Sequence, residues 1–437
     1  MLDTIVNILV WAVLGAVPGF YVTAIKRHDP RLGIGIGAIG AVVIGFLGVE
    51  AGIISTAGAG VFIIMGLWGI GLLVLPYGDY DENITAQGRI TLLAYALTLP
   101  TLLIVFGIVI FPLIWNLIFS IRPIDVADLQ NVQLFDVSEA TLDNFEGQVG
   151  FRIDTNLPCE EAEGGGCAVD DEGDTIYQDA RRYIGDAYRG YREVNNLNIL
   201  GERYSIGVRD TEFYPMIWRT IFYTLSSTVL AILVGLVVAL LVRDAFPGRA
   251  IFRGFILFPY IAPVISVAFI WQVLFATDGL VNESLGTGTA FLSSRDTFLG
   301  IPIPLIMVIM FQTWRYFPFA FLFLLARIQA IPDDMYEAAK VDGAAPSQRL
   351  LYITLPQLRA VIGTLFLLRF IWTFNKFDDV FLLTGPITQT KVIPVQIFES
   401  LFTETNVGEA SAIAVIMACM LAVILLIYFR YFLVEEN

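Results

Sequence analysis

The sequence predicts an all-α polytopic membrane protein with about nine transmembrane helices and one long polar segment outside the membrane. Of its 437 residues, 57% are hydrophobic and only 15% are charged, a composition too apolar for an ordinary soluble domain. The apolar residues form runs of about 20 or more, the length that an α-helix needs to cross a hydrocarbon core of about 30 Å. Because backbone polar groups in lipid must be paired internally, the spanning elements are predicted to be helices.

Nine runs are long enough to span a membrane. The second and third runs are rich in glycine, which permits close packing of helices in lipid. The runs lie at about residues 4–25, 33–54, 57–76, 90–119, 216–242, 251–275, 302–327, 357–376 and 410–433.

Basic residues cluster in three of the connections between these runs, so these connections are predicted to be cytoplasmic. Arg430, at the end of the ninth run, agrees, which gives an external N-terminus and a cytoplasmic C-terminus. The clusters are Lys26, Arg27 and Arg31 after the first run, Arg243, Arg249 and Arg253 after the fifth, and Arg327, Lys340, Arg349 and Arg359 after the seventh.

The first 80 residues hold three of the runs, and we assign no chemistry to them. Residues 1–25 could also be read as a cleaved signal peptide, but they lack a basic N-terminal region and are followed by positive charge, which favours a membrane helix.

Residues 121–212 form the large polar segment, and the topology predicts that it is external. It holds 20 Asp and Glu against 8 Arg and no Lys, which accounts for −12 of the chain's net charge of −15. This excess could attract a basic partner or simply be a solvated face. Lys is scarce throughout the chain, 4 against 22 Arg, a balance that favours a halophilic prokaryote as the source.

Cys159 and Cys167 lie in CEEAEGGGC, a predicted loop tip within this external segment. They could form a local disulfide in an oxidising compartment, or remain two free thiols. Cys419, in the ninth run, is most simply a small apolar packing residue.

The sequence offers little for catalysis. His28 is the sole histidine, and no CxxC or HExxH pattern occurs, so no metal site is predicted. None of the four lysines is followed by Ser or Thr, as a phosphate-binding P-loop requires. Any ATP that powers this protein must therefore be hydrolysed by another chain, and no catalytic residue or enzyme activity is predicted.

Carboxylates are scarce within the apolar runs. Glu50 lies near a membrane face, and Asp378 and Asp379 follow the eighth run. Since ion-coupled carriers place ionisable groups inside their helices, this scarcity disfavours a proton- or sodium-coupled carrier, which stays as an alternative.

Residues 337–356, EAAKVDGAAPSQRLLYITLP, form an Ala-rich connector between the seventh and eighth runs. Pro332 should stop the seventh helix, Asp333 could cap a new short helix, and Gly343 could end it. The alanines would let a groove on another protein approach closely, and Glu337 offers one directional charge.

The connector resembles the loop signature of ATP-binding-cassette import permeases. Longer stretches at 248–275, 311–344 and 370–386 resemble the carbohydrate branch of that family, with the layout of the larger membrane subunit of the maltose transporter. TGP at 384–386 departs from the family, which usually has a double glycine there. The signature E-A-A-x3-G-x9-I-x-L-P is carried by Glu337, Ala338, Ala339, Gly343, Ile353, Leu355 and Pro356.

This resemblance implies a permease subunit of a sugar importer. Its six-helix core would comprise residues 81–120 and 213–437, with 1–80 as accessory helices, 121–212 as an external insert and 331–356 as the coupling loop. The implied partners are a second permease, two ATPase subunits that bind ATP and Mg²⁺, an external sugar-binding protein and membrane lipid. No cofactor in this chain and no nucleic acid is implied. The residues that would contact an ATPase are Glu337, Ala338, Ala339, Asp342 and Gly343.

The resemblance also gives candidates for the substrate path. Aromatic rings could stack on sugar rings, with polar groups donating hydrogen bonds, although such aromatics also commonly face lipid or the core. The arginines could equally pair with a carboxylate of a neighbouring subunit. The candidates are Arg315, Tyr316, Phe319, Arg369, Trp372, Thr373 and Lys376.

A different class of function stays open beside the importer. The chain could be a membrane-embedded interaction or receptor protein that acts through its acidic external segment.

Overall fold

The structure is a computed structural model, and it describes the second half of the chain without a break. Upstream of residue 202 it describes longer stretches separated by gaps. The described residues are 202–432, then 30–44, 104–130, 139–155 and 190–199, with short pieces at 11–23, 63–68, 98–101, 158–160, 167–169, 175–178 and 184.

The described elements are mostly helices. Two π-helical turns cover Phe106–Ile110 and Leu350–Thr354, and a 3₁₀ turn covers Val126–Gln130. The strands are β1 (Phe151–Thr155), β2 (Arg192–Ile199), β3 (Glu202–Val208), β4 (Thr297–Phe298) and β5 (Ile301–Pro302). The helices are α1 (Pro30–Val42), α2 (Phe111–Ser120), α3 (Asp143–Val149), α4 (Phe213–Leu241), α5 (Arg249–Ile261), α6 (Val264–Leu274), α7 (Leu280–Leu285), α8 (Ile303–Gln329), α9 (Asp333–Val341), α10 (Pro346–Arg349), α11 (Leu355–Phe374), α12 (Asp378–Thr384), α13 (Ile393–Phe402) and α14 (Val407–Phe432).

The chain divides into two compact units. One comprises Met1–Asn144 and Asn406–Ala412, and the other comprises Phe145–Thr405 and Ile413–Asn437. The candidate site residues all belong to the second unit.

Glycine allows close backbone packing in the first unit. A Cβ atom added to Gly37 would lie 2.1 Å from the carbonyl oxygen of Gly15, and one added to Gly33 would lie 2.1 Å from that of Gly19. Only glycine fits at such a distance, so α1 contacts the preceding segment through its backbone. The glycine-rich composition predicted this kind of packing.

The polar segment, residues 121–212, contains a β-sheet, which corrects the all-α prediction for this part of the chain. Its three strands are antiparallel in the order β1-β3-β2, with Phe151 opposite Val208. Apolar and polar residues alternate in FRIDT and ERYSIGV, and a period of two favours a strand. Composition alone had hidden this pattern.

Two cross-links organise the described part of this segment. Cys159 and Cys167 form a disulfide, with their Cα atoms 5.3 Å apart. The Tyr191 hydroxyl donates a 2.9 Å hydrogen bond to Glu146 Oε1, and this bond, with the adjacent negative charge, raises the pKa of Tyr191 above its ordinary value.

Four described helical segments are long and apolar enough to cross a membrane, and a bent pair makes a fifth. They correspond to the last five predicted runs. Of the first four runs, the structure describes only parts as helix, mainly α1 and Phe106–Ser120, with short pieces within 11–23, 63–68 and 98–105. The predicted count of nine therefore lies outside the described residues. The four segments are Phe213–Leu241, Ile303–Gln329, Pro346–Phe374 and Val407–Arg430.

The sixth predicted run is not one straight helix. It is divided into α5 and α6, which meet at an angle of 91°. Ala262 has an extended backbone, with φ −62° and ψ 140°, and Pro263 follows it. Proline disfavours the helical conformation in the residue before it, and this explains the position of the break.

The core of the second unit lies between α4 and α8. On α4, Ala231, Gly235 and Ala239 lie four residues apart and are buried, so they form one face of the helix. A Cβ atom on Gly235 would lie 2.8 Å from the Cβ atom of Ala320 on α8. Small residues therefore allow the two long helices to pack closely.

Candidate functional site

Four aromatic rings from three helices form the first part of the candidate site. Tyr260 of α5 lies 6.0 Å from Tyr316 and 5.9 Å from Phe319, both on α8. Phe319 lies 5.3 Å from Trp372 of α11, all distances being between ring centroids. We call these four residues the aromatic cluster.

The aromatic cluster is partly open. The exposed fraction is 46% for Trp372 and 37% for Tyr260, while Tyr316 is buried. Open ring faces of this kind can stack on the apolar face of a sugar ring. Sequence reasoning missed Tyr260, because its place beside α8 depends on tertiary packing of α5. A tyrosine one turn before the helix-breaking Ala262–Pro263 pair was the available signal.

A buried ion pair lies beside the aromatic cluster. Arg315 Nη1 donates to Asp379 Oδ1 at 2.9 Å, and the Asp379 side chain is fully buried. Arg315 is therefore paired within its own chain, and the predicted alternative of a carboxylate from a neighbouring subunit is not needed for it. Sequence reasoning missed the role of Asp379, because 64 residues separate the two partners.

A second, more exposed ion pair involves Lys376. Its Nζ lies 2.9 Å from Asp378 Oδ1 and 4.0 Å from Asp379 Oδ2. The Lys376 side chain is 25% exposed, so its ammonium group can donate hydrogen bonds at the edge of the site.

Arg369 and Thr373 lie behind the aromatic cluster rather than on its open face. Arg369 is 2% exposed and Thr373 is 1% exposed, and Arg369 Nη2 donates to Thr373 Oγ1 at 3.0 Å. The guanidinium carbon of Arg369 lies 4.1 Å from the ring centroid of Tyr316. In this conformation Thr373 holds Arg369, and Arg369 makes a cation–π contact that stabilises the position of the Tyr316 ring.

The connector forms the second part of the candidate site. Helix α9 begins at Asp333 with Pro332 at its N-cap position, which corrects the prediction that Asp333 is the cap. Asp333 and Asp334 lie in the first turn, where negative charge complements the helix dipole. Glu337, in the next turn, is exposed.

Gly343 ends α9 in a conformation that favours glycine. Its φ is +79°. Its N–H donates to the Lys340 carbonyl at 3.1 Å, and the next N–H, of Ala344, donates to the Ala339 carbonyl at 2.8 Å. These two bonds define a Schellman motif, so the prediction that Gly343 ends the helix is confirmed.

The five predicted contact residues form one continuous accessible segment. Glu337, Ala338, Asp342 and Gly343 are exposed and Ala339 is half-buried. Sequence reasoning missed two apolar neighbours, Val341 and Tyr352, which are 87% and 78% exposed. The signal for Val341 was its place between the charged residues Lys340 and Asp342, whereas Tyr352 stands in the apolar run LLYIT and had no separate signal. A groove of about 460 Å³ lies between α9 and α10, lined in part by Ala339, Gly343 and Tyr352.

The described residues hold no arrangement suited to metal chemistry. Across the described ranges, no three His, Cys, Asp or Glu side chains come together in a way that could hold a metal ion.

Comparison with known proteins gives consistent matches. Residues 211–435 match the family model for the inner membrane component of binding-protein-dependent transport systems. The inner membrane ABC transporter permease protein YcjO of Escherichia coli is 34% identical over 221 residues, which are 50% of this chain and 74% of YcjO. The trehalose/maltose transport system permease protein MalF of Thermococcus litoralis is 32% identical over 226 residues, again 50% of this chain and 74% of the relative.

Among solved structures, this chain is similar to part of a bacterial ABC transporter that imports the acidic polysaccharide alginate. The TM-score is 0.47 at 22% identity, over 52% of this chain and 81% of the other.

Proposed function

Since the chain belongs to the family of inner membrane components of binding-protein-dependent transport systems, we propose that it is the permease subunit of an ATP-driven importer of mono- or oligosaccharides. In this proposal the aromatic cluster lines the substrate path, and the connector engages a separate ATPase. The proposed assembly contains a second permease, two ATPase subunits that bind ATP and Mg²⁺, and an external sugar-binding protein.

The observation that carries the proposal is the geometry of the connector. A short helix stands between two helices long enough to span a membrane, and its exposed segment holds Glu337 and Gly343 at the spacing of the import-permease signature. A capped helix is stiff, so a displacement applied by a partner at Glu337 would move the adjoining helices as rigid bodies.

Two observations support a sugar as the substrate. The aromatic cluster offers partly open rings beside the Lys376 donor, which suits a ring with one apolar face and several hydroxyls. The relative MalF of Thermococcus litoralis is named for trehalose and maltose transport, and SugA of Mycobacterium tuberculosis, 30% identical over 220 residues, for trehalose.

The ion-coupled alternative is less well supported. Asp378 and Asp379, the carboxylates beside the aromatic cluster, are occupied by Lys376 and Arg315. A carrier needs a carboxylate that exchanges its ion during transport.

Transport by the reconstituted complex tests the proposal. The chain would be purified with its partner permease and ATPases, inserted into proteoliposomes, and supplied with binding protein and a labelled sugar. We expect ATP-dependent accumulation, and we expect Trp372→Ala to reduce it about fivefold while the complex still assembles, because a stacking contact is worth on the order of 1 kcal/mol.

Trp218→Ala is the matched control, because Trp218 is 65% exposed on α4 and its ring contacts Phe222 rather than the aromatic cluster. Accumulation of the sugar without ATP would contradict the proposed energy source. Equal uptake by Trp372→Ala and wild type would contradict the proposed substrate path.

A further inference from the structure

Tyr336 is the one buried residue of α9. Its neighbours Met335 and Glu337 are exposed, whereas Tyr336 is 6% exposed. The side chain therefore points from the exposed surface of α9 toward the long helices, at the wall of an open groove that Asp333 and Glu337 also line.

The ring of Tyr336 is covered by Arg243, which follows α4. The guanidinium carbon lies 3.9 Å from the ring centroid, and Arg243 Nη2 lies 3.7 Å from Asp333 Oδ1, also on α9. The turn that carries Arg243 is itself braced, because Arg249 Nη1 and Arg253 Nη2 donate to the carbonyls of Arg243 and Val242 at 3.2 and 3.3 Å.

The hydroxyl of Tyr336 reaches a different element. It shares a 2.9 Å hydrogen bond with Thr354 Oγ1, and Thr354 is 2% exposed. Thr354 is the last residue of the π-helical turn Leu350–Thr354, directly before α11. Local π-helical turns are frequent at functional sites.

Tyr336 thus joins α9 to the two elements that carry opposite sides of the aromatic cluster. The braced turn under Arg243 leads into α5, which holds Tyr260, and Thr354 leads into α11, which holds Trp372. One contact of Tyr336 therefore leads to α5 and the other leads to α11.

Resting on the proposed function, we propose that Tyr336 is the positioning residue that couples ATP hydrolysis to transport. Its ring, stacked under Arg243, and its hydroxyl, bonded to Thr354, convert a displacement of α9 into a joint displacement of α5 and α11. Without the hydroxyl bond, α11 follows the displacement of α9 less closely. More ATP is then hydrolysed for each sugar that is moved.

The experiment measures sugar moved per ATP hydrolysed in the complete complex in proteoliposomes. Tyr336→Phe removes the hydroxyl and keeps the ring. Thr354→Val removes the same bond from the other side, and with it the 3.4 Å hydrogen bond that Thr354 Oγ1 donates to the Arg349 carbonyl. Each should lower the ratio about fivefold, the effect expected for one hydrogen bond, with ATPase co-purification and basal hydrolysis unchanged. The double variant should be no worse than Thr354→Val alone, since both changes remove the bond between Tyr336 and Thr354.

Two further variants separate positioning from general damage. Thr364→Val is the matched control, because Thr364 Oγ1 donates only within α11, to Ala360, and it should leave the ratio unchanged. Arg243→Ala should lower the ratio of sugar moved to ATP hydrolysed. Arg243→Lys should keep most of the wild-type ratio, because an ammonium group can still make a cation–π contact with the ring.

Several results would overturn the inference. A wild-type ratio in both Tyr336→Phe and Thr354→Val would show that Tyr336 only packs, and additive losses in the double variant would show that the two side chains act separately. Lost ATPase association in the single variants would show that they disturb docking. A wild-type complex without ATP-dependent uptake would instead overturn the proposed function, and the inference with it.

Discussion

Replacing Asp379 by Asn should strongly destabilise the second unit. The Asp379 side chain is fully buried and Arg315 is 10% exposed, with 2.9 Å between Oδ1 and Nη1. The substitution leaves a buried guanidinium without its carboxylate, a change that costs about 3–5 kcal/mol. At about 2–4 °C per kcal/mol for a unit of this size, the melting temperature should fall by roughly 10 °C.

The assay is thermal unfolding of the purified complex in detergent, followed by tryptophan fluorescence. Asp378→Asn is the matched control, because that carboxylate is 39% exposed and pairs with Lys376. An exposed pair contributes at most about 1 kcal/mol, so this variant should melt within a few degrees of wild type.

The double variant Arg315→Met/Asp379→Asn decides the cause. Removing both charges removes the unpaired buried cation, so most of the lost stability should return. A double variant as unstable as Asp379→Asn alone would refute the reasoning, since the loss would then come from packing around position 379. So would a melting temperature for Asp379→Asn equal to that of Asp378→Asn.

Two further predictions concern the connector and the external segment. Gly343→Pro and Glu337→Lys should each abolish uptake and weaken ATPase co-purification while the permease stays folded, because the first distorts the Schellman motif and the second reverses the presented charge. Gly286→Ala, at another positive φ outside the connector, is the control and should keep the ATPase bound. Normal ATPase association in both connector variants would show that this segment is an ordinary loop. Thiol labelling of intact cells should find Cys159 and Cys167 unreactive until a reductant is added, and labelling of both before reduction would contradict the disulfide.

Local features of the chain were predictable from sequence. The end of α9 follows from Gly343, because glycine adopts positive φ without strain, and the long helices follow from runs of apolar residues. The break between α5 and α6 was also readable, since Pro263 restricts Ala262, but the run was treated as a single span because its hydropathy is continuous. Hydropathy indicates whether a segment lies in lipid or water, but it does not show whether the helix is straight or bent.

Features that depend on distant residues were not predictable. The pair Arg315–Asp379 joins α8 to α12, and Tyr260 joins the aromatic cluster only because α5 packs on α8. From a single sequence one cannot read which of these helices pack against each other, or which residues of two neighbouring helices lie opposite each other. The three-stranded sheet was missed for another reason. The prediction for residues 121–212 considered their charge and not the alternation of apolar and polar residues in β1 and β3.

The arrangement of charge around Tyr316 bears on the class of substrate. Its ring has the Arg369 guanidinium 4.1 Å from its centroid and the Arg315 guanidinium at 5.3 Å, and both arginines are buried. Arg315 is neutralised by Asp379, and Arg369 is held by Thr373 and the ring itself. The charges therefore fix the aromatic cluster from behind, while its open face consists of Tyr260 and Trp372 with Lys376 at the edge. Under the proposed function, such a face suits a ligand with apolar ring faces and hydroxyl groups better than a compact anion, because a compact anion would need the two arginines that the protein has already buried.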